Sequence, residues 1–218
     1  MDERVLSAGA TAPRHLIDRP TSWVALAGFT GAGKSRIGWE LSRRLPLTFI
    51  DTDRVIERVS SMKISEIFEL YGEGVFRDYE TEIVRRCTRL DDVVVSTGGG
   101  TVIRAENRAM LRERGPVVVL HASPETTYKR TRRDRRPILE VGDPEERIRT
   151  LMHERAPYYR EVATITVSTD GRDSKDVVDE IVRELEAWRD ARELDEDDDA
   201  ATQPGGAHPG DAHRGGPA

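Results

Sequence analysis

The chain is poor in several things that would each point to a class of protein. Its 218 residues include a single cysteine, Cys87, so an intrachain disulfide is excluded and a reducing, cytoplasmic setting is expected. No apolar run approaches the roughly 20 residues of a membrane-spanning helix, so no membrane partner is expected. Residues 1–20 lack the apolar stretch of a signal peptide. Aromatic residues make up only 6%, and the basic stretch at 129–137 holds none of the stacking rings that a single-stranded nucleic-acid surface uses. Lysine is confined to Lys34, Lys63, Lys129 and Lys175, and the other 30 bases are arginines. A motif that requires lysine is therefore hard to match by accident, whereas one that requires arginine is easy. The net charge of −6 is local. Residues 190–218 hold eight acids and two bases, and residues 1–189 carry 32 of each. A neutral body offers no basic field for nucleic acid.

What is present is an alternation of two patterns. Short apolar runs at 23–27, 47–50, 93–96, 117–120 and 165–167 predict buried strands. Charged segments of helical period predict helices at 34–45, 53–59, 64–71, 74–89, 106–114, 124–130, 144–161 and 174–189. The economical solution is an α/β fold, a parallel sheet with helices on both faces. Residues 1–21 form an irregular leader broken by Pro13 and Pro20. Residues 22–189 form one domain. Residues 190–218, acidic and then rich in Gly and Pro, are expected to stay disordered.

Residues 28–35, Gly-Phe-Thr-Gly-Ala-Gly-Lys-Ser, fit the pattern G-x-x-x-x-G-K-[ST]. They follow the first strand and open the first helix. Glycines allow the main-chain N–H groups to turn in around phosphate oxygens, and the helix adds its positive end. Lys34 can bridge the β- and γ-phosphates, and the Ser35 hydroxyl can ligate Mg²⁺.

Other features lie at strand ends, the edge where open parallel sheets bind ligands. Asp51 and Asp53 follow the second strand. They could divide work between a metal ion and a substrate hydroxyl, or serve as a helix cap and a surface acid. Gly98, Gly99 and Gly100 follow the third strand, and three glycines favour close approach of a ligand over a plain turn. Arg77 and Glu80 share one helix face, the arrangement of an ordinary ion pair. Residues 129–137 hold six bases and one acid and end at Pro137. They suit a basic lid over a polyphosphate better than a nucleic-acid surface. Arg155-Ala-Pro157-Tyr158-Tyr159 says little by itself.

In this order the pieces resemble the shikimate kinase family: phosphate loop, D-T-D, F-R-x-x-E, G-G-G, an R-P-x-L lid and R-x-P-x-Y, spanning about residues 24–185. The resemblance implies a five-stranded, three-layer fold of the nucleoside-monophosphate-kinase type and transfer of a phosphoryl group from ATP to the 3-hydroxyl of shikimate. Gly31, Ala32, Gly33, Lys34, Ser35 and Arg36 would bind ATP, with Arg130 and Arg172 against adenine. Arg136 would reach the phosphates from the lid. Asp53 would hold the ring hydroxyls and help deprotonate or orient the attacking one. Arg77 and Arg155 would take the substrate carboxylate, with Glu80 steadying Arg77 and Gly98, Gly99 and Gly100 completing the pocket. Ser35 and Asp51 would serve Mg²⁺, and the enzyme would work as a monomer.

Two departures from the family pattern stand out. Arg36 follows the loop where a threonine is common. The lid is about one residue short, which makes Arg135 the alternative to Arg136. The competing functions are a kinase for a related cyclitol acid such as aminoshikimate, and a non-catalytic nucleotide-binding regulator.

Overall fold

The computed structural model describes residues 19–132 and 143–202, with side chains described as far as residue 194. Five strands, β1 (Trp23–Ala27), β2 (Thr48–Asp51), β3 (Val93–Ser96), β4 (Val117–His121) and β5 (Ile165–Ser168), form one sheet in the order β2-β3-β1-β4-β5. Every pairing is parallel. The expected fold class is the observed one. Strand composition explains the order. Trp23–Ala27 and Val93–Ser96 are buried along their whole length, as inner strands covered on both faces must be. The edge strand β5 alternates instead, with Ile165 and Val167 inward and Thr166 and Ser168 exposed.

The side chains of β1 divide the core in two. Val24 and Leu26 face α1 (Lys34–Arg44) and α7 (Ser174–Thr202), meeting Ile37, Leu41, Val177, Ile181 and Leu185. Trp23, Ala25 and Ala27 face the opposite layer of α2 (Thr52–Ser60), α3 (Ile64–Cys87), α4 (Ala105–Arg114) and α6 (Pro144–Val162). The remaining helix, α5 (Pro124–Thr131), packs on α6. The chain leaves β1 toward β2 on one side and reaches β4 on the other. The C-terminal end of β1 is thus the point where strand order reverses, the usual binding crevice of such sheets.

The two helices expected at 64–71 and 74–89 are both present, and they meet within α3 at Gly72, whose φ of 79° and ψ of 174° are not helical. At the other end α7 continues past residue 189 to Thr202. The acidic stretch, expected to be irregular, is helical that far because Ala, Arg, Glu and Leu punctuate it and no Gly or Pro occurs before Pro204. The leader up to residue 18 and the stretch from residue 203 lie outside the described residues. Among the described residues no helix is long and apolar enough to cross a membrane.

Candidate active site

The phosphate loop turns from β1 into α1 with Gly33 as the N-cap of that helix, at φ 95°. Only glycine adopts that left-handed backbone without strain, and it aims the first N–H groups of α1 into the crevice. Lys34 is nearly buried. Its ammonium donates to the carbonyls of Gly28 at 2.7 Å and Phe29 at 2.9 Å, so the charge lies inside the loop. The mouth is a cavity of about 470 Å³ lined by Lys34, Ser35, Asp51, Asp53, Gly99 and Arg130, among others.

Asp51 caps α2 and at the same time meets Ser35. Its Oδ1 accepts from the Arg54 N–H as the cap of α2, and its Oδ2 accepts from the Ser35 hydroxyl at 2.6 Å. This hydroxyl–carboxylate pair joins two hard oxygen donors beside a phosphate loop. It suits Mg²⁺, which keeps several waters and takes phosphate oxygens rather than a full protein cage. Asp53, in the first turn of α2, does not cap the helix; its carboxylate lines the cavity.

A second cavity, of about 270 Å³, adjoins the first and is lined by Ala32, Gly33, Arg36, Ile37, Arg130, Thr169, Arg172 and Val177. Arg130 forms its wall, donating to Gly31 O at 3.1 Å, Thr169 Oγ1 at 3.0 Å and Thr169 O at 2.9 Å. Arg172 is tied to Ser168 O, to Asp176 O and, through an ion pair of 2.6 Å, to Glu180. Arg36 lies at the rim, largely exposed and paired with Glu40.

Behind Gly98 and Gly100 a pair of charges, Arg77 and Glu80, is buried. Arg77 donates through Nη1 to Glu80 and through Nε and Nη2 to Glu73. Glu80 is 1% exposed, and its other oxygen accepts from Thr101 Oγ1 at 2.7 Å. Burial opposes the Arg77 charge, but Glu80 and then Glu73 outweigh it and hold the guanidinium above its ordinary pKa. The three glycines make room for these groups. A Cβ on Gly98 would lie 2.5 Å from Glu80 Oε1 and 2.7 Å from Asp53 Oδ1, and one on Gly100 would lie 2.2 Å from Arg77 Nη1.

Arg155, on α6, is also buried. It donates to Gly99 O at 3.3 Å and stacks over the Phe29 ring at 5.5 Å. No carboxylate among the described residues pairs with it. Burial pushes its pKa down, and of its charged neighbours Arg77 lowers it further while Glu73 and Glu80 partly compensate. Tyr159 fixes the same corner by donating to Gly99 O at 2.6 Å, and burial raises its phenol pKa so that it stays protonated.

The shikimate kinase family model matches residues 30–186. The chain belongs to the shikimate kinase family. It is 59% identical over 180 residues to shikimate kinase of Deinococcus radiodurans, covering 83% of this chain and 91% of that one. With shikimate kinase of Thermus thermophilus the identity is 52% over 177 residues, covering 80% and 95%. Among solved structures, shikimate kinase from Acinetobacter baumannii in complex with shikimate superposes with a TM-score of 0.75 at 38% identity, covering 78% of this chain and 96% of its own.

Of the residues expected in this family member, Gly31, Ala32, Gly33, Lys34, Ser35, Arg36, Asp51, Asp53, Gly99, Arg130 and Arg172 line the two adjoining cavities, and Gly98, Gly100, Arg77, Glu80 and Arg155 pack next to that lining. Arg135 and Arg136 lie outside the described residues. Sequence reasoning assigned no role to Thr52, whose hydroxyl accepts from Gly98 N–H at 3.0 Å, or to Thr101, Tyr159 and Glu73. Thr52 and Tyr159 stand inside recognised motifs and were open to notice there. Thr101 acts through a tertiary partner, Glu80, and Glu73 through Arg77 four residues on in the same helix, a spacing too common to stand out.

Proposed function

We propose that this shikimate kinase transfers the γ-phosphoryl group of ATP to the 3-hydroxyl of shikimate through the residues described above. The observation that carries the assignment is Arg155, a buried guanidinium without a carboxylate partner among the described residues, beside Arg77 at the mouth of a phosphate loop. A small acid with hydroxyl groups fits that pair, because a planar guanidinium takes a carboxylate through two parallel hydrogen bonds.

In this reading the carboxylate of shikimate rests on Arg77 and Arg155 and fixes the ring. Asp53 faces the ring hydroxyls from α2 and accepts the proton of the attacking one. Main-chain N–H groups of the loop and of the α1 N-terminus hold the phosphates, and Lys34 leaves its loop carbonyls to neutralise charge on the transferring group. Mg²⁺, held beside Ser35 and Asp51, supplies further neutralisation of phosphate charge when bound. Adenine occupies the second cavity against Arg130. Arg136, or Arg135 in the shifted register, closes over the phosphates and excludes water that would compete as acceptor. The enzyme works as a monomer, and the free Cys87 thiol fits a reducing, cytoplasmic setting.

The deciding experiment supplies the purified protein with MgATP and shikimate, quinate, gluconate or aminoshikimate in turn and measures ADP release. Shikimate is expected to stimulate release most. No stimulation above the acceptor-free rate would overturn the reading, and stronger stimulation by aminoshikimate would reassign the acceptor.

A further inference from the structure

We propose that Glu73 is a displaceable carboxylate that occupies the substrate's place on Arg77 in the free enzyme and so sets the affinity for the acceptor. The inference rests on the reading of Arg77 and Arg155 as the carboxylate pocket and adds to it a residue that tunes specificity and affinity.

The Arg77 guanidinium is enclosed on nearly every side. Gly100 lies against it so closely that a single added carbon would touch Nη1, Nη2 and Cζ within 2.5 Å. Glu80 holds the Nη1 side, and Phe76 stacks on it at 5.3 Å. The one remaining edge, Nε and Nη2, donates to a single oxygen, Glu73 Oε1, at 3.1 and 2.6 Å. A guanidinium presents its paired hydrogen bonds along such an edge. An incoming carboxylate therefore needs the edge that Glu73 holds.

Charge counting points the same way. Arg77 and Arg155 with Glu73 and Glu80 form a neutral set. A third carboxylate would leave one excess negative charge in a partly desolvated place, where like charges repel most. One of the resident acids must yield. Glu80 is buried and fixed by Thr101, whereas the Glu73 side chain is 54% exposed and can pass into water at small cost.

The backbone allows that movement. Glu73 stands between Gly72 and Gly74, and at neither glycine would a Cβ meet any atom within 4 Å. Packing therefore does not explain these two glycines. Gly72 carries the break in α3, so Glu73 opens the second half of the helix with a pivot directly before it. Swung off Arg77, its carboxylate remains near the positive N-terminal end of that half-helix, a favourable place for it.

The test is calorimetric titration of shikimate into the full-length protein, wild type against Glu73→Gln and Glu73→Asp. Glu73 is exposed, so neither change threatens folding. Removing the competing charge should tighten shikimate by about threefold to fivefold, the worth of a half-exposed ion pair. Glu73→Asp, one methylene shorter, should fall between. Shikimate methyl ester, which brings no charge, should gain nothing. Weaker or unchanged shikimate binding by Glu73→Gln would overturn the proposal, since a residue that merely supports Arg77 loses affinity when neutralised. An equal gain for the ester, or a matching change in ATP affinity, would overturn it too. Arg77→Met separates the two levels: if that variant binds shikimate as well as wild type, the carboxylate pocket itself is misplaced.

Discussion

The two halves of the crevice are held by different kinds of bond. On the side proposed for the nucleotide the partners are mostly main chain: Lys34 donates to Gly28 O and Phe29 O, and Arg130 to Gly31 O and Thr169 O. On the side proposed for the acceptor they are mostly side chains, with Glu73, Arg77, Glu80 and Thr101 joined in one chain of polar contacts. A main-chain site is fixed by backbone conformation and depends on its glycines. A side-chain network depends on charge balance, and one changed charge alters every member. The halves should therefore fail separately, and differently, when mutated.

The sharpest way to break that division is Asp53→Asn. Losing the proposed proton acceptor should lower kcat by about 10²- to 10⁴-fold. ATP binding, followed by calorimetry, should stay close to wild type. If ATP affinity collapsed instead, Asp53 would belong to the nucleotide half.

Arg155→Met comes next in size. Hydrogen bonds to a charged group are worth about 1.5–3 kcal/mol, so the KM for shikimate should rise roughly 10- to 100-fold. The KM for ATP is the reference measurement. A comparable rise in both constants would show that Arg155 couples the halves through Gly99 rather than serving one of them.

Glycine substitutions probe the same contrast at smaller amplitude. Gly100→Ala must displace a guanidinium that is held by two carboxylates, at a cost of about 1–3 kcal/mol that should appear in shikimate affinity alone. Gly33→Ala imposes a left-handed backbone on alanine, a cost of about 1–2 kcal/mol that should appear in ATP affinity alone. Crossed effects in steady-state kinetics would contradict the separation.

The same contrast explains what could be read from sequence. Strands and helices were legible because the inner strands are continuous apolar runs and the helices are periodic. The phosphate loop was legible because a main-chain cradle imposes its glycine spacing directly on consecutive residues. The acceptor pocket was legible only as scattered fragments. Arg77 and Glu80 read as a surface pair until the fold buries them under Gly98 and Gly100, which lie some 20 residues away in the chain. Arg155 reads as nothing until α6 carries it to Gly99. Glu73 carries no signal alone, since an acid four residues from an arginine on a helix is commonplace. The extension of α7 escaped notice for another reason: a run of acids looks like a solvated tail, yet its residues between 190 and 202 tolerate a helix well enough to prolong one already begun.

Cys87 offers the mildest test, because it belongs to neither half although it lies on α3, ten residues beyond Arg77. It is packed in the core, with its carbonyl accepting from the Trp23 indole at 3.1 Å, and burial pushes its thiol pKa up to about 11 from an ordinary value of 9.0. The folded state therefore binds this proton more tightly than the unfolded state. Its contribution is fully present below pH 9 and is lost as pH rises from 9 through 11. Wild type should lose about 1–3 kcal/mol more than Cys87→Ala across that interval, as read from urea midpoints of both proteins. Both substrate constants of Cys87→Ala should match wild type. A selective change in shikimate KM would mean that the lower end of α3 transmits packing strain to Arg77, and the acceptor half would then extend into the core instead of ending at its ion pairs.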